Sequence, residues 1–191
     1  MSEYITTNTG DGITINGYFG YDTDVYIPPM IKGLPVITIG SSAFECCTGL
    51  QSITIPYGIT SIGNSAFASC RSLQRIVIPE GVTTIGDSAF SGCTGLTSIV
   101  IPNGITTIGD WAFKGCRSLT SINIPQSVTS IGRSAFEGCT SLTSPIYISE
   151  GVKTIGNATF AGCTNLTIIK ICNLSRFDGQ KINVKIRERR K

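Results

Sequence analysis

Hydrophobic and polar positions along this chain follow a block that recurs every 23 residues. The pair Ile-Gly marks the interval, because it occupies residues 39–40, 62–63, 85–86, 108–109 and 131–132 and returns at 155–156 after one step of 24. Three further columns keep the same register, and they consist of Phe44, Phe67, Phe90, Phe113, Phe136 and Phe160, of Cys47, Cys70, Cys93, Cys116, Cys139 and Cys163, and of Leu50, Leu73, Leu96, Leu119, Leu142 and Leu166. Columns that stay in register through so many blocks indicate that each block is one structural unit of a repeat protein.

Alternation inside one block predicts a short β-strand. Leu73, Ile76 and Ile78 follow the spacing L-x-x-I-x-I. A period of two turns Ile76 and Ile78 to one side of the strand and leaves Arg75 and Val77 on the other. When blocks stack about 4.8 Å apart, the isoleucines form an inner column and the intervening residues form outward rows on a parallel sheet.

The remainder of the block predicts a second extended segment and a helical turn. Pro79 has no N–H group to give to a ladder and therefore ends the first strand. Residues 82–85, Val-Thr-Thr-Ile, form the second short strand with their apolar ends inward. Asp87 is a favourable helix N-cap and Gly92 a favourable stop, so we expect a single helical turn between them that buries Phe90.

Stacked blocks predict a mainly-β solenoid. One block cannot bury its apolar side alone, but stacked neighbours share a continuous core. We expect a parallel sheet on one face, with short second strands and single helical turns on the other. Residues 36–173 hold about six blocks, while residues 1–35 and 174–191 depart from the repeat. These two are expected to be an N-terminal capping segment and a basic C-terminal cap or tail.

The repeat resembles a known family. The consensus I-x-I-P-x-x-[IV]-T-x-I-G-x-x-A-F-x-x-C-x-x-L is similar to the BspA-like class of leucine-rich repeats over residues 36–171. The resemblance implies a leucine-rich-repeat solenoid of the α/β horseshoe type. It also implies adhesion or recognition of host or neighbouring-cell proteins, on or outside the cells of bacteria and some protists. It implies no enzymatic activity and no fixed binding residues.

The sequence shows no recognisable targeting signal. Its first five residues show neither the basic nor the apolar region of a signal peptide. No apolar run approaches the roughly 20 residues of a transmembrane helix. A cell-surface or secreted location is therefore what the resemblance implies, and a cytoplasmic location stays open.

The residue types that catalysis and metal binding need are sparse. The chain has no histidine, the commonest general base and metal ligand. A calcium site would need roughly six to eight oxygens around one point. Capping of helical turns is the better explanation for a polar column formed by Asn64, Asp87, Asp110 and Asn157. We expect no catalytic residue, no metal site and no cofactor.

Eight cysteines invite a disulfide framework, but six of them share one column between phenylalanine and leucine columns. Free cysteine behaves as a small buried hydrophobe, so we expect a stacked ladder of thiols in the core. Disulfides between neighbouring coils stay an alternative, since the coil spacing lies within the Cα distances that disulfides span. A linear ladder does not converge on a tetrahedral zinc centre.

Charge is divided unevenly along the chain. Residues 1–173 hold eight basic and ten acidic side chains, whereas residues 174–191 hold seven basic and two acidic ones. A basic tail can bind nucleic acid or an anionic surface by releasing counterions. Tail-mediated binding is therefore the alternative function. A solvated end that keeps the last coil from stacking on another molecule explains the same residues, and we favour it.

If the chain binds a partner, the outward rows of the sheet are the natural site. Small polar and β-branched residues dominate them, which suits a protein or glycan better than a pocket-bound small molecule. The first row consists of Thr54, Val77, Val100, Asn123, Tyr147 and Lys170. The row beside it consists of Ser52, Arg75, Ser98, Ser121, Pro145 and Ile168. Tyrosine and arginine are common interface anchors, so Tyr147 and Arg75 are the first candidates.

Overall fold

The computed structural model describes residues 3–143 and 145–172, which form a β-solenoid of about seven coils. In chain order its strands are β1 (Tyr4–Asn8), β2 (Ile13–Tyr18), β3 (Asp24–Tyr26), β4 (Met30–Ile31), β5 (Leu34–Ile39), β6 (Ser52–Thr54), β7 (Ser61–Ile62), β8 (Arg75–Val77), β9 (Thr84–Ile85), β10 (Ser98–Val100), β11 (Thr107–Ile108), β12 (Ser121–Ile122), β13 (Ser130–Ile131), β14 (Ile146–Ile148), β15 (Thr154–Ile155) and β16 (Ile169–Ile171). The predicted fold class, a leucine-rich-repeat solenoid with mainly β structure, is confirmed.

Each repeat coil contributes one strand to each of two sheets. The first sheet runs in the order β12-β10-β8-β6-β3 and is parallel throughout. The second sheet runs β1-β2-β5-β7-β9-β11-β13-β15, and it is parallel from β2 onward. Because the register between coils is one full repeat, Arg75 lies beside Ser52 and Ser98, and Val77 lies beside Thr54 and Val100.

The strand pairing of the described residues does not connect β12 to β14. Among the described residues β14 pairs with β16 in a separate two-stranded parallel sheet. Pro145, the extra residue of the 24-residue unit, lies directly before β14 and has no N–H group for a ladder. The inserted Pro145 predicts a bulge just before β14, and this stays a prediction because residue 144 lies outside the described residues.

The predicted helical turns are wrong. Residues 87–92 form consecutive tight turns, and Ser88 has a left-handed backbone with φ of 56°, which an α-helix does not allow. The reason lies in the neighbouring coil. The Phe90 N–H donates to the Ala112 carbonyl at 2.8 Å, and the Ser88 N–H donates to the Asp110 carbonyl at 2.8 Å. These bonds between coils replace the hydrogen bonds of a helix.

The capping role assigned to the polar column is also wrong. Asp87 does not cap a helix, because its Oδ1 accepts from the Asp110 N–H of the next coil at 2.8 Å. Asn64 accepts from the Asp87 N–H at 2.9 Å, and Asp110 accepts from the Arg133 N–H at 2.7 Å. The column is therefore a polar ladder that joins one coil to the next.

The core is a stack of identical layers. The rings of Phe44, Phe67, Phe90, Phe113, Phe136 and Phe160 stack with centroids 5.2–5.5 Å apart and interplanar angles of 14° or less. Tyr18 continues this stack, with its ring centroid 5.3 Å from that of Phe44, and Tyr4 packs 5.4 Å from Tyr18. Tyr4 and Tyr18, both within the N-terminal segment of residues 1–35, thus cover one end of the phenylalanine stack.

Extra residues in the first coil form a small hairpin. β4 and β5 pair antiparallel, and residues Lys32 and Gly33 turn between them with φ of 52° and 78°. β1 pairs antiparallel with β2, whereas β2 pairs parallel with β5. β1 therefore occupies the edge of the second sheet, where it covers the last parallel strand.

Candidate binding face

Outward side chains of the first sheet form a continuous row across neighbouring coils. Val77 and Val100 are 70% and 64% exposed, whereas the isoleucines directly before and after each of them are buried. Thr54 lies beside Val77 and is exposed, and Asn123 follows β12 with its side chain exposed. An exposed valine on a rigid sheet contributes apolar contact area at little conformational cost.

The row extends one coil further than sequence reasoning placed it. Tyr26 pairs in register with Thr54 and is 63% exposed. The signal was present, because Val-Tyr-Ile-Pro at residues 25–28 has the same form as the strand ending Ile-Val-Ile-Pro at residues 76–79. We define the row face as Tyr26, Thr54, Val77, Val100 and Asn123.

The neighbouring row carries the charge of this face. Arg75 is exposed between Ser52 and Ser98, and Asp24 lies in register with Ser52 at the N-terminal end. Hydrogen bonds from the hydroxyls of Ser52 and Thr23 lower the pKa of the Asp24 carboxyl below its ordinary value. Asp24 is therefore a fixed negative charge at one end of the row face.

Tyr147 and Lys170 lie together, but in the two-stranded sheet. They pair in register, and the Lys170 ammonium lies 5.5 Å from the centroid of the Tyr147 ring. That distance is within the range of a cation–π contact. The structure brings Thr54, Val77 and Val100 together on one ladder and places Tyr147 and Lys170 in the two-stranded sheet of β14 and β16.

Metal ligands do not group together in the part of the chain that the structure describes. Over residues 3–143 and 145–172, no three or more cysteine, aspartate or glutamate side chains group closely enough to hold a metal ion. No helix in the same part of the chain is long and apolar enough to cross a membrane. The basic tail of the alternative function, residues 174–191, lies outside the described residues.

Comparisons with known proteins agree with this geometry. A family model described as BspA type leucine rich repeat region matches residues 31–143 and 93–182, in six copies. No functionally curated protein matches the chain significantly.

Solved structures of bacterial leucine-rich repeat proteins are similar to this chain. The crystal structure of the T. pallidum leucine rich repeat protein is 35% identical with a TM-score of 0.84, over 88% of this chain and 79% of that one. A leucine-rich repeat protein from Bacteroides ovatus is 32% identical with a TM-score of 0.76, over 91% of this chain and 53% of that one. The chain thus spans about half of the Bacteroides protein. The pneumococcal vaccine antigen PcpA shares the fold at 23% identity, with a TM-score of 0.67 over 88% of this chain and 48% of that one.

The family model extends over most of the sequence, and two structures are more than 30% identical over nearly all of it. The chain belongs to the BspA-type leucine-rich repeat family.

Proposed function

We propose that this chain is a non-catalytic interaction module that binds a protein partner through the row face. The observation that carries the proposal is the exposure of Tyr26, Val77 and Val100 on one rigid ladder. Four strand spacings of about 4.8 Å give the row a length of roughly 19 Å, which suits a segment of a protein surface rather than a small molecule.

The row face has an apolar centre, and charged side chains lie beside it. Partner binding is usually dominated by a few side chains near the centre of an interface, surrounded by residues that exclude water. Val77 and Val100 occupy the middle of the row, and Tyr26 adds an aromatic anchor at its end. Asp24 and Arg75 then favour a partner with complementary charges at matching positions.

Adhesion at a cell surface is the biological setting we propose. Leucine-rich repeats are in general protein-interaction modules, and the family resemblance implies display on or outside the cell. The partner in that setting is a protein on a host or neighbouring cell. Tyr147 with Lys170 supplies a second anchor for a partner long enough to reach the two-stranded sheet of β14 and β16.

Matched charge insertions on the two sheets test this placement. The variant carrying Val77→Lys and Val100→Lys places two ammonium groups at the centre of the row face. The control carrying Thr84→Lys and Thr107→Lys places the same charges on exposed positions of the second sheet in the same two coils. Both variants and the unchanged chain are immobilised and exposed to solubilised envelope proteins of bacteria and membrane proteins of epithelial cells.

We expect the row-face variant to lose proteins that the unchanged chain and the control retain, as identified by mass spectrometry. The affinity of each retained protein is then measured, and it should fall at least tenfold for the row-face variant. Equal binding by both variants would reject the row face as the site. Circular dichroism melting of each variant distinguishes a lost contact from a lost fold.

A further inference from the structure

A hollow of about 370 Å³ lies on the second sheet, at the carboxyl ends of β13 and β15. Polar and apolar surface line it in similar amounts, and its polar side chains belong to Asp110, Ser130, Arg133, Thr154 and Asn157. The hydroxyls of Ser130 and Thr154 lie 2.7 Å apart and share one hydrogen bond. The hollow belongs to a different sheet from the row face, so its role is independent of the proposed function.

The hollow lies where the polar ladder ends. Arg133 occupies the column in which Asn64, Asp87 and Asp110 accept a backbone N–H from the next coil. Arginine has no acceptor atom. Among the described residues the Asn157 N–H consequently has no hydrogen-bond acceptor, although it borders the hollow. One departure from the repeat thus leaves an N–H donor without an acceptor, and the arginine that causes it also lines the hollow.

A second departure fixes the guanidinium. Trp111 stands in a column otherwise occupied by serine or alanine, and it adopts a left-handed backbone with φ of 54°. The left-handed backbone is common to the column, since Ser65, Ser88 and Ser134 have φ of 52–56°, so the departure lies in the bulk of the indole. The Arg133 Cζ lies 4.3 Å from the centroid of the Trp111 ring. Stacking orients the guanidinium while its N–H edges stay available for a ligand.

The donors and acceptors define the ligand. A guanidinium binds a carboxylate through two parallel hydrogen bonds. Asp110 uses Oδ1 for the Arg133 N–H, and its second carboxylate oxygen can accept from a ligand hydroxyl. Ser130 and Thr154 offer further hydroxyl partners, whereas the two isoleucines of the lining, Ile131 and Ile155, are buried and offer no apolar subsite.

We propose that this hollow binds an acidic sugar, with the carboxylate on Arg133 and the Asn157 N–H and the ring hydroxyls on Asp110, Ser130 and Thr154. A peptide C-terminus would present the same carboxylate. Its flanking amide and side chain do not match the hydroxyl partners, so the hollow favours a saccharide over a peptide.

Trp111 supplies the readout, because it is the one tryptophan of the sequence and it touches the arginine that holds the ligand. Its fluorescence is followed while trigalacturonate is added to the full chain. The comparison probes are neutral galactotriose, sodium acetate and the peptide Gly-Gly-Gly. Trigalacturonate should give a saturable change, and galactotriose should give none at the same concentration.

Arg133→Asn is the decisive variant. Asparagine restores the acceptor of the ladder, so the variant should melt at the same or a higher temperature than the unchanged chain. Its affinity for trigalacturonate should nevertheless fall at least tenfold, measured by calorimetry. Asn64→Ala removes a ladder acceptor far from the hollow and should keep the affinity. An Arg133→Asn chain that binds as tightly as the unchanged one would overturn the proposal. So would the absence of any response to trigalacturonate, or equal binding of acetate or Gly-Gly-Gly.

Discussion

The Cys93 thiol donates a hydrogen bond to the Phe67 carbonyl oxygen, with its Sγ 3.0 Å from that oxygen and one coil away from it. The same contact recurs for Cys70, Cys116, Cys139 and Cys163 with the phenylalanine of the preceding coil, at 3.0–3.2 Å. The cysteine column therefore joins coils through its S–H groups, and this contact requires the protonated thiol. All described cysteines are free.

Thiol reactivity should divide the cysteines by burial. Cys46 and Cys172 are exposed, whereas Cys70, Cys93, Cys116 and Cys139 are buried. Without reductant, we expect the exposed pair to react at once with a thiol reagent in the native protein, and eight thiols to react after denaturation. The buried four should react at the rate of unfolding. A denatured count below eight would show disulfides instead of a thiol ladder.

Alkaline pH should weaken the fold through the same thiols. Burial raises the pKa of Cys116 from 9.0 to about 12 and that of Cys47 to about 11. The unfolded chain then loses protons before the native one as pH rises, so the free energy of unfolding is unaffected below pH 9 and falls above it. The fully buried Cys116 contributes a loss of about 1.4 kcal/mol per pH unit until its folded pKa is reached, and the half-buried Cys47 contributes less because solvent screens it.

Cys116→Ala isolates this contribution. Denaturant unfolding at pH 8 and pH 10 should show a smaller alkaline loss for the variant than for the unchanged chain. Burial also raises the pKa of Tyr4 to about 12, so the variant should keep some alkaline sensitivity. Cys46→Ala, at an exposed thiol, serves as the control and should retain the full dependence. Identical pH profiles for all three proteins would contradict the buried ladder.

The polar ladder should have a measurable stabilising effect at Asp87. Asp87→Ala removes the acceptor for the Asp110 N–H and should reduce the free energy of unfolding by about 0.5–1.5 kcal/mol. Asp87→Asn keeps an acceptor oxygen and should cost less than half of that. Urea unfolding of the two variants measures the difference. Equal losses would mean that the charge of Asp87, and not its hydrogen bond, stabilises the coil junction.

The repeat columns predicted the core and the outward rows because they are periodic. Every coil repeats the same inward isoleucines and phenylalanines, so burial in one coil determines burial in the next. The helical turns were mispredicted at Asp87 and Gly92 because capping residues also suit a chain of tight turns. The choice depends on carbonyls of the next coil, and those contacts are not local in sequence.

Departures from the repeat were harder to interpret. Tyr26 lies in the N-terminal segment of residues 1–35, which departs from the 23-residue spacing, so the repeat columns alone do not place it in the row. Trp111 and Arg133 are far apart in sequence. Their contact arises because they occupy adjacent columns of neighbouring coils. The contacts of a residue that departs from the repeat depend on the coil stacked against it. The repeat pattern alone does not predict those contacts.

Deletion of residues 174–191 distinguishes the proposed function from the tail-mediated alternative. The row face contains no residue of the tail. We therefore expect partner affinity to stay within a factor of about three after deletion, at constant salt.

Under the alternative, the seven basic side chains of the tail would give binding to duplex DNA or anionic vesicles that weakens steeply with ionic strength. Six or more phosphate contacts predict a loss of about a thousandfold or more between 50 and 200 mM salt. We expect the full chain to bind these probes weakly even at 50 mM, because its other residues carry slightly more acidic than basic charge. Tight, salt-sensitive binding that disappears with the tail would move the function from the row face to residues 174–191.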